Sequence, residues 1–474
     1  MRALVASAAL VAVVVFSILR AVWAWPPAGP AAAAALALYL LLEGWSARRG
    51  GRRIVALGLA AAAAAIAFHP APWPLLLNAG VQAAALIGLF TALGFLREAA
   101  ETSALIQRCG ALMVRQPPGR RYMALALGSH LIGLVLNFGV MPLVGTMVVK
   151  GNTAEAAGGD ARIVAIRQQR MMTAMVRGFA TMTVWSPLSV SFTVTQSALP
   201  GLDWWPLLGI QLGLTVLIMA LGWWLDRRAF PAPPPSAATA AATAATTGTA
   251  TAVPAADWRP ALHLAALVGT VVAASVAVAE VLSVRLVVGA MLVVPPAAVL
   301  WLMAQHRAVI PALIHLGRRL TVSMPGFREE VTMLGGAMFL STVLVAFIPP
   351  AETARLVGLI PLPAVVVLVL AAWLVMALSH LGISQIVTVT ILGGALAALA
   401  GHGLPPVAVA SGLMGAWALS VCSTPVGAVV LSVARLANVP MRTVSRQWNG
   451  RFVVLGALVL TAWLVALCTI LDAS

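Results

Sequence analysis

The chain has 474 residues, of which 61% are hydrophobic and 9% charged. Soluble globular chains are about 25% charged, so an ordinary soluble protein is excluded. The 29 Lys and Arg outnumber the 13 Asp and Glu, giving a net charge of +16; such an excess belongs either to nucleic-acid binding or to positive loops beside membrane spans.

A bilayer core about 30 Å thick is crossed by about 20 apolar residues as helix. Runs of that kind lie at 3–19, 30–45, 54–68, 74–96, 178–198, 205–225, 261–280, 284–304, 331–349, 405–434 and 452–471, which predicts about eleven spans. The run at 3–19 follows Arg2 with no clear cleavage site after it, so it reads as a retained span rather than a signal peptide. Two further apolar stretches, 121–149 and 364–400, behave differently. If each crossed once, the basic residues would scatter over both faces. If each enters and leaves on the same side as a re-entrant hairpin, all basic residues except Arg20, Arg285 and Arg355 fall on one face. The positive-inside rule then makes that face cytoplasmic, with the N-terminus inside and the C-terminus outside. Trp204 and Trp205 sit at an outer boundary, where interfacial aromatics belong. The charge is therefore a topology signal, and no nucleic-acid partner is expected.

Segment 231–256 is low-complexity Pro/Ala/Thr sequence and reads as a cytoplasmic linker. It divides the chain into 1–230 and 257–474. The halves echo each other three times in the same order: Ala100-Glu101-Thr102 with Ala351-Glu352-Thr353, Ser129-His130-Leu131 with Ser379-His380-Leu381, and 178–189 with 415–427, each of the last pair placing Pro inside an apolar run. The first hairpin enters from the cytoplasm and the second from outside, so the repeats have opposite topology. Inverted repeats with discontinuous helices are the architecture of secondary transporters. The predicted fold is an all-α polytopic membrane protein in two inverted-topology repeats, each with a re-entrant hairpin and a broken helix (178–198 and 405–434).

The breaks are where chemistry can be done. Pro187 removes a backbone donor and clashes with the carbonyl four residues earlier, and a carbonyl freed in hydrocarbon must be satisfied by protein or a water-filled cavity. Ser186 and Ser189 put hydroxyls beside that break. Ser423-Thr424-Pro425 repeats the arrangement, with Gly427 adding backbone freedom. The first hairpin turns near Asn137, which tolerates a left-handed turn and carries both a donor and an acceptor. A turn within 382–385 carries Ser384 and Gln385, with Thr388 just beyond. Asn137, Ser186, Ser189, Ser384, Gln385, Ser423 and Thr424 are the candidate solute-binding residues. Thr181, Thr388 and Gly427 are candidates for a coupling ion. His130 and His380 recur at equivalent positions, and an ionisable residue inside a membrane is a functional candidate; these two are the candidate proton site. Every Asp and Glu lies at a span end, in a loop or at the terminus, so the hairpins and breaks hold no carboxylate. That argues against a carboxylate proton relay or a divalent-metal site and suits an anionic or neutral solute with Na⁺ or H⁺ as coupling ion, without a bound cofactor. Cys109, Cys422 and Cys468 show no ligand spacing, and no hydrolase, zinc-protease or ATP-binding motif occurs.

These motifs resemble the ion transporter superfamily, in particular the divalent anion/sodium symporters and arsenite permeases. Leu136-Asn137-Phe138-Gly139 and Pro142 are similar to its first hairpin tip, 178–181 with Ser186-Pro187 to its first broken helix, 384–388 to its second tip and Cys422-Ser423-Thr424-Pro425 to its second break. The chain departs from that pattern in that neither tip reads Ser-Asn-Thr and neither proline is followed by Pro-Asn. The resemblance implies a homodimer with a scaffold and an elevator-like transport domain. The expected function is an inner-membrane, ion-coupled secondary transporter of a small anionic solute, working by alternating access. The alternatives are a cation/proton antiporter using His130 and His380, and a membrane-embedded enzyme acting on lipid-linked substrates.

Overall fold

The computed structural model describes residues 1–199, 201–231, 257–347, 355, 362–397, 404–425 and 427–472. The expected linker beyond Pro231, the Ala351-Glu352-Thr353 repeat element, the last residues of the 331–349 run, positions 398–400 of the second hairpin and Val426 of the second break lie outside the described residues. Among the described residues the secondary structure is helical throughout, without a strand. Eleven stretches are long and apolar enough to cross a membrane. The protein is an all-α polytopic membrane protein.

Before the linker the helices are α1 (Arg2–Trp23), α2 (Ala28–Glu43), α3 (Arg49–Phe68), α4 (Pro72–Glu101), α5 (Ala104–Val114), α6 (Pro118–Leu136), α7 (Val140–Gly151), α8 (Ala161–Trp185), α9 (Val190–Ala198) and α10 (Trp204–Ala229). After it come α11 (Arg259–Val281), α12 (Leu286–His306), α13 (Val309–Ser323), α14 (Gly336–Ala346), α15 (Ala364–His380), α16 (Gln385–Ala397), α17 (Pro406–Ser423), α18 (Ala428–Ala437) and α19 (Gly450–Asp472). A π-helical segment, Val331–Gly335, leads into α14.

The eleven span-length stretches are not the eleven expected from the sequence. Gly119–Gly151 qualifies by length and composition, whereas 178–198 does not. The second difference has a simple cause: α8 begins at Ala161 with Arg162, Arg167 and Arg170 in its first turns, and the helix stops at Trp185. The first difference dissolves in three dimensions. Asn137 ends α6 at φ 48 and ψ −127, and the chain turns back there. A methyl group on Gly128 would strike Met113, one on Gly110 would strike Met147, and one on Gly151 would meet Val114. Short α5 therefore touches α6 before the turn and α7 after it. A straight 33-residue helix would be roughly 50 Å long and could not place both arms on α5. Residues 118–151 form a helical hairpin.

Each hairpin flanks one long buried helix. Residues 171–184 of α8 and 408–420 of α17 are buried without exception, so these two helices form the centre of the bundle. Along α8, α6 runs parallel: Tyr122 lies beside Arg177 and His130 beside Thr181 and Trp185. The two backbones touch at Gly178, where any Cβ would sit 2.0 Å from the Ala126 carbonyl oxygen. Helix α7 runs back along α8, with Phe138 5.5 Å from Phe179 and Asn152 donating to the Val164 carbonyl at 2.8 Å. In the second half α15 runs parallel to α17, Leu368 meeting Gly412. After a turn with Gly382 at φ 87, α16 returns antiparallel, Gln385 bonding the Trp417 carbonyl and Gly393 facing Leu413. Helices α8 and α17 themselves are antiparallel. Ser411 and the Val184 carbonyl share Gln211 at one end, and Gln168 reaches the Ala437 carbonyl at the other.

Acids placed at span ends by the sequence are paired there. Arg2 meets Glu43 at 3.0 Å, and Arg319 bridges Glu98 at 2.6 Å and Glu101 at 2.9 Å. Glu43 and Glu98 are buried, so losing either partner would leave an uncompensated charge.

Candidate functional site

Helix α8 ends at Ser186 because Pro187 cannot continue it. Groups on either side of the break are bonded locally. Ser186 Oγ accepts from the Leu188 amide at 3.1 Å, and the Ser186 carbonyl accepts from Ser189 Oγ at 2.7 Å. Ser189 then caps α9 by accepting from the Phe192 amide at 3.2 Å. This is ordinary N-capping chemistry, and it occupies both hydroxyls that the sequence offers to a solute. At the second break Ser423 and Thr424 turn their hydroxyls back onto the Leu419 and Ser420 carbonyls, at 3.3 and 2.7 Å. Gly427 is the N-cap residue of α18. Both pairs of break residues are almost wholly buried.

Each tip lies on the side of its own break. His130 meets Trp185 on the parallel arm α6, seven residues before Asn137, and Leu368 meets Gly412 on the parallel arm α15, fourteen residues before Gly382. Phe138 packs back on the Phe179 ring, and Gln385 reaches back to the Trp417 carbonyl. Because α8 and α17 are antiparallel, the two breaks lie toward opposite ends of the pair.

The tip residues sit in different surroundings. Asn137 is half-buried and lines a small cavity with Arg97, Phe138, Phe327 and Glu330. Gln385 is held by the Trp417 carbonyl at 3.2 Å, and Thr388 returns its hydroxyl to the Ser384 carbonyl at 3.2 Å. The second turn is more open, with Leu381 78% exposed.

The histidines separate clearly. Trp185 donates to His130 Nε2 at 3.0 Å, so that nitrogen must hold a lone pair. His130 Nδ1 then carries the proton and donates to Thr181 Oγ1 at 3.1 Å, which donates in turn to the Gly178 carbonyl at 2.8 Å. Every polar atom in this chain is used, and the histidine is neutral. Taking up a proton would cost the Trp185 bond. Thr181, a coupling-ion candidate by sequence, is committed to the same network. His380 is exposed and donates from Nδ1 to the Met376 carbonyl at 2.8 Å. The two Ser-His-Leu tripeptides thus hold one sealed histidine and one solvated one.

A different group went unnoticed in the sequence. Just past the first break, α9 carries Ser191, Thr195 and Gln196, all buried. Ser191 Oγ, Thr195 Oγ1 and Gln196 Oε1 have no hydrogen-bond partner among the described residues. Unsatisfied buried polar atoms are rare in native structures. Ser191 and Thr195 are four residues apart and share a helix face, and that spacing was the signal available in VSFTVTQSA. Helix α9 packs against α16, with Ala198 against Gly393. Of the three coupling-ion candidates, Thr388 is the one carried by α16.

No family model matches the chain, and no curated protein matches it. The solved structures it is similar to include two transporters. The YdaH transporter of Alcanivorax borkumensis aligns at TM-score 0.45 and 17% identity, over 80% of this chain and 87% of that one. MtrF of Neisseria gonorrhoeae, described within a class of antimetabolite efflux pumps, aligns at TM-score 0.50 and 12% identity, over 80% of each chain. At that identity the likeness to MtrF is one of fold: a polytopic helical bundle.

Proposed function

We propose that the protein is a secondary active transporter of a small anionic solute, located in an inner membrane and working by alternating access. One observation carries this reading. Two helical hairpins each lie against one of two central broken helices, and the two assemblies run in opposite directions. That is what two inverted repeats, 1–230 and 257–474, would produce, with the hairpins re-entrant, and inverted repeats with broken helices serve alternating access. The fold likeness to a protein described as an efflux pump accords with it. In this reading the N-terminus is cytoplasmic, the C-terminus is outside, and membership of the ion transporter superfamily would add a homodimeric assembly. The oxygen-only set Ser191, Thr195, Gln196 and Thr388 receives the coupling cation, Na⁺ by its chemistry, since His130 is closed to protons by Trp185. The solute lies between the tips, contacted by Asn137, Ser384 and Gln385.

Uptake into proteoliposomes, screened over small anions under separate Na⁺ and H⁺ gradients, tests the reading. Uptake should follow the Na⁺ gradient, and Thr195→Val should cut it at least tenfold while the protein remains folded. Uptake of no anion under either gradient would sink the function. Uptake that ignores Na⁺ and tolerates Thr195→Val would sink the cation site alone.

A further inference from the structure

The sequence explains the basic residues as topology signals, and for exposed arginines that is sufficient. Arg177 does not fit that account. It is buried at 7% exposure within α8, and none of its partners is a carboxylate. Its Nε donates to Asn449 Oδ1 at 3.1 Å and one terminal nitrogen to the Trp448 carbonyl at 2.9 Å. The other terminal nitrogen reaches the Tyr122 hydroxyl at 3.3 Å and the Gly222 carbonyl at 3.4 Å, while Phe452 lies under the guanidinium at 4.5 Å. These contacts aim the group without neutralising it, and a buried charge without a counter-charge is costly.

Beside it opens a cavity of about 510 Å³. Arg170, Arg177, Arg228 and Arg451 line it, together with a single carboxylate, Asp226. That carboxylate is spent: Arg170 holds both of its oxygens, at 2.9 and 2.6 Å. Thr173, on the same face of α8 as Arg170 and Arg177, is only 6% exposed on this wall, and its hydroxyl has no partner among the described residues. Three guanidiniums without a carboxylate, an unused hydroxyl and a cavity large enough for a small molecule make an anion receptor. Planar guanidiniums match phosphate oxygens in pairs.

We infer that this cavity binds a phosphate group. Its wall includes Trp224, 41% exposed and stacked under Arg228 at 4.4 Å, and tryptophans of that kind sit at the membrane interface. The depth suits the headgroup of an anionic phospholipid, and basic pockets between membrane helices take such headgroups; a free phosphate would meet the same donors. This site stands apart from the hairpin tips and does not depend on the transport reading.

The test is the thermal transition of the purified full chain in neutral detergent with added phosphatidylglycerol, phosphatidylcholine or millimolar inorganic phosphate. Phosphatidylglycerol should raise the midpoint by about 4 °C or more over phosphatidylcholine. The double variant Arg228→Gln/Arg451→Gln alters only the exposed mouth and should lose at least half of that rise, whereas Arg442→Gln, a basic residue outside the cavity, should keep it. A rise with inorganic phosphate that the double variant also loses assigns the site to a soluble ligand. No rise with either, or a rise that the double variant retains in full, overturns the inference.

Discussion

The two central helices break in similar sequences and are finished in opposite ways. At the first break Ser186 and Ser189 close on each other and on the α9 amides, while His130, Thr181 and Trp185 form a saturated chain just before it. At the second, Ser423 and Thr424 only fold back onto their own helix. The nearby cation, Arg177, is bonded to Asn449 and the Trp448 carbonyl, beyond the second break in the chain. One break is tied to the helix that follows it; the other is closed only onto its own helix. Both breaks carry a proline; the neighbours of each decide what it does.

Six substitutions and one labelling experiment would break or sharpen that contrast. The largest effect belongs to Arg177→Met, which strands Asn449, the Tyr122 hydroxyl and the Trp448 carbonyl. Buried groups left unpaired cost about 1–3 kcal/mol each, so a loss of about 3 kcal/mol is expected in reversible unfolding from micelles. A loss below about 1 kcal/mol would mean that the Arg177 bonds do not hold the segment after the second break in place. Next comes His130→Phe, which strands the Trp185 indole N–H and removes the bond from Nδ1 to Thr181 Oγ1. It should cost about 2 kcal/mol, against almost nothing for His380→Phe at the exposed tip. A sealed neutral His130 also predicts that the pH profile of uptake between pH 6 and 8 is the same in His130→Gln as in the parent chain; a displaced profile would reopen the proton reading.

Ser189→Ala removes a true cap and should cost about 1 kcal/mol. Ser423→Ala removes a back-bond within a helix and should cost a few tenths, so equal losses would erase the distinction between the breaks. The smallest effect concerns Cys109, whose thiol is pushed up to about 11 by burial in α5. Maleimide added to the native protein at pH 7 should leave it unlabelled, because the thiolate is the reactive form.

Much of the architecture could be read from one dimension because membranes make the code coarse. Long apolar runs, prolines at matched places and Asn137 at a turn are local facts with local causes. The hairpin at 118–151 was legible only through charge placement, since its hydropathy is that of a span. The site was harder. Ser186, Ser189, Ser423 and Thr424 stand out in the sequence as the hydroxyls beside the prolines, but sequence cannot show whether a hydroxyl faces inward to its own backbone or outward to a ligand. The same blindness hid Ser191, Thr195 and Gln196, whose interest lies in having no partner. It also hid Arg177, which by sequence is one more cytoplasmic arginine. Burial and partners are properties of the fold.

Gly178 has a mechanical meaning. With α8 and α6 in backbone contact at Ala126, neither helix can slide past the other without first separating. Hairpin one and α8 must therefore travel as a single piece, so that a sliding surface, if the bundle has one, runs outside this pair. A bulky side chain at 178 would act as a wedge between two halves of a solid block, felt as loss of the folded protein rather than as slower motion.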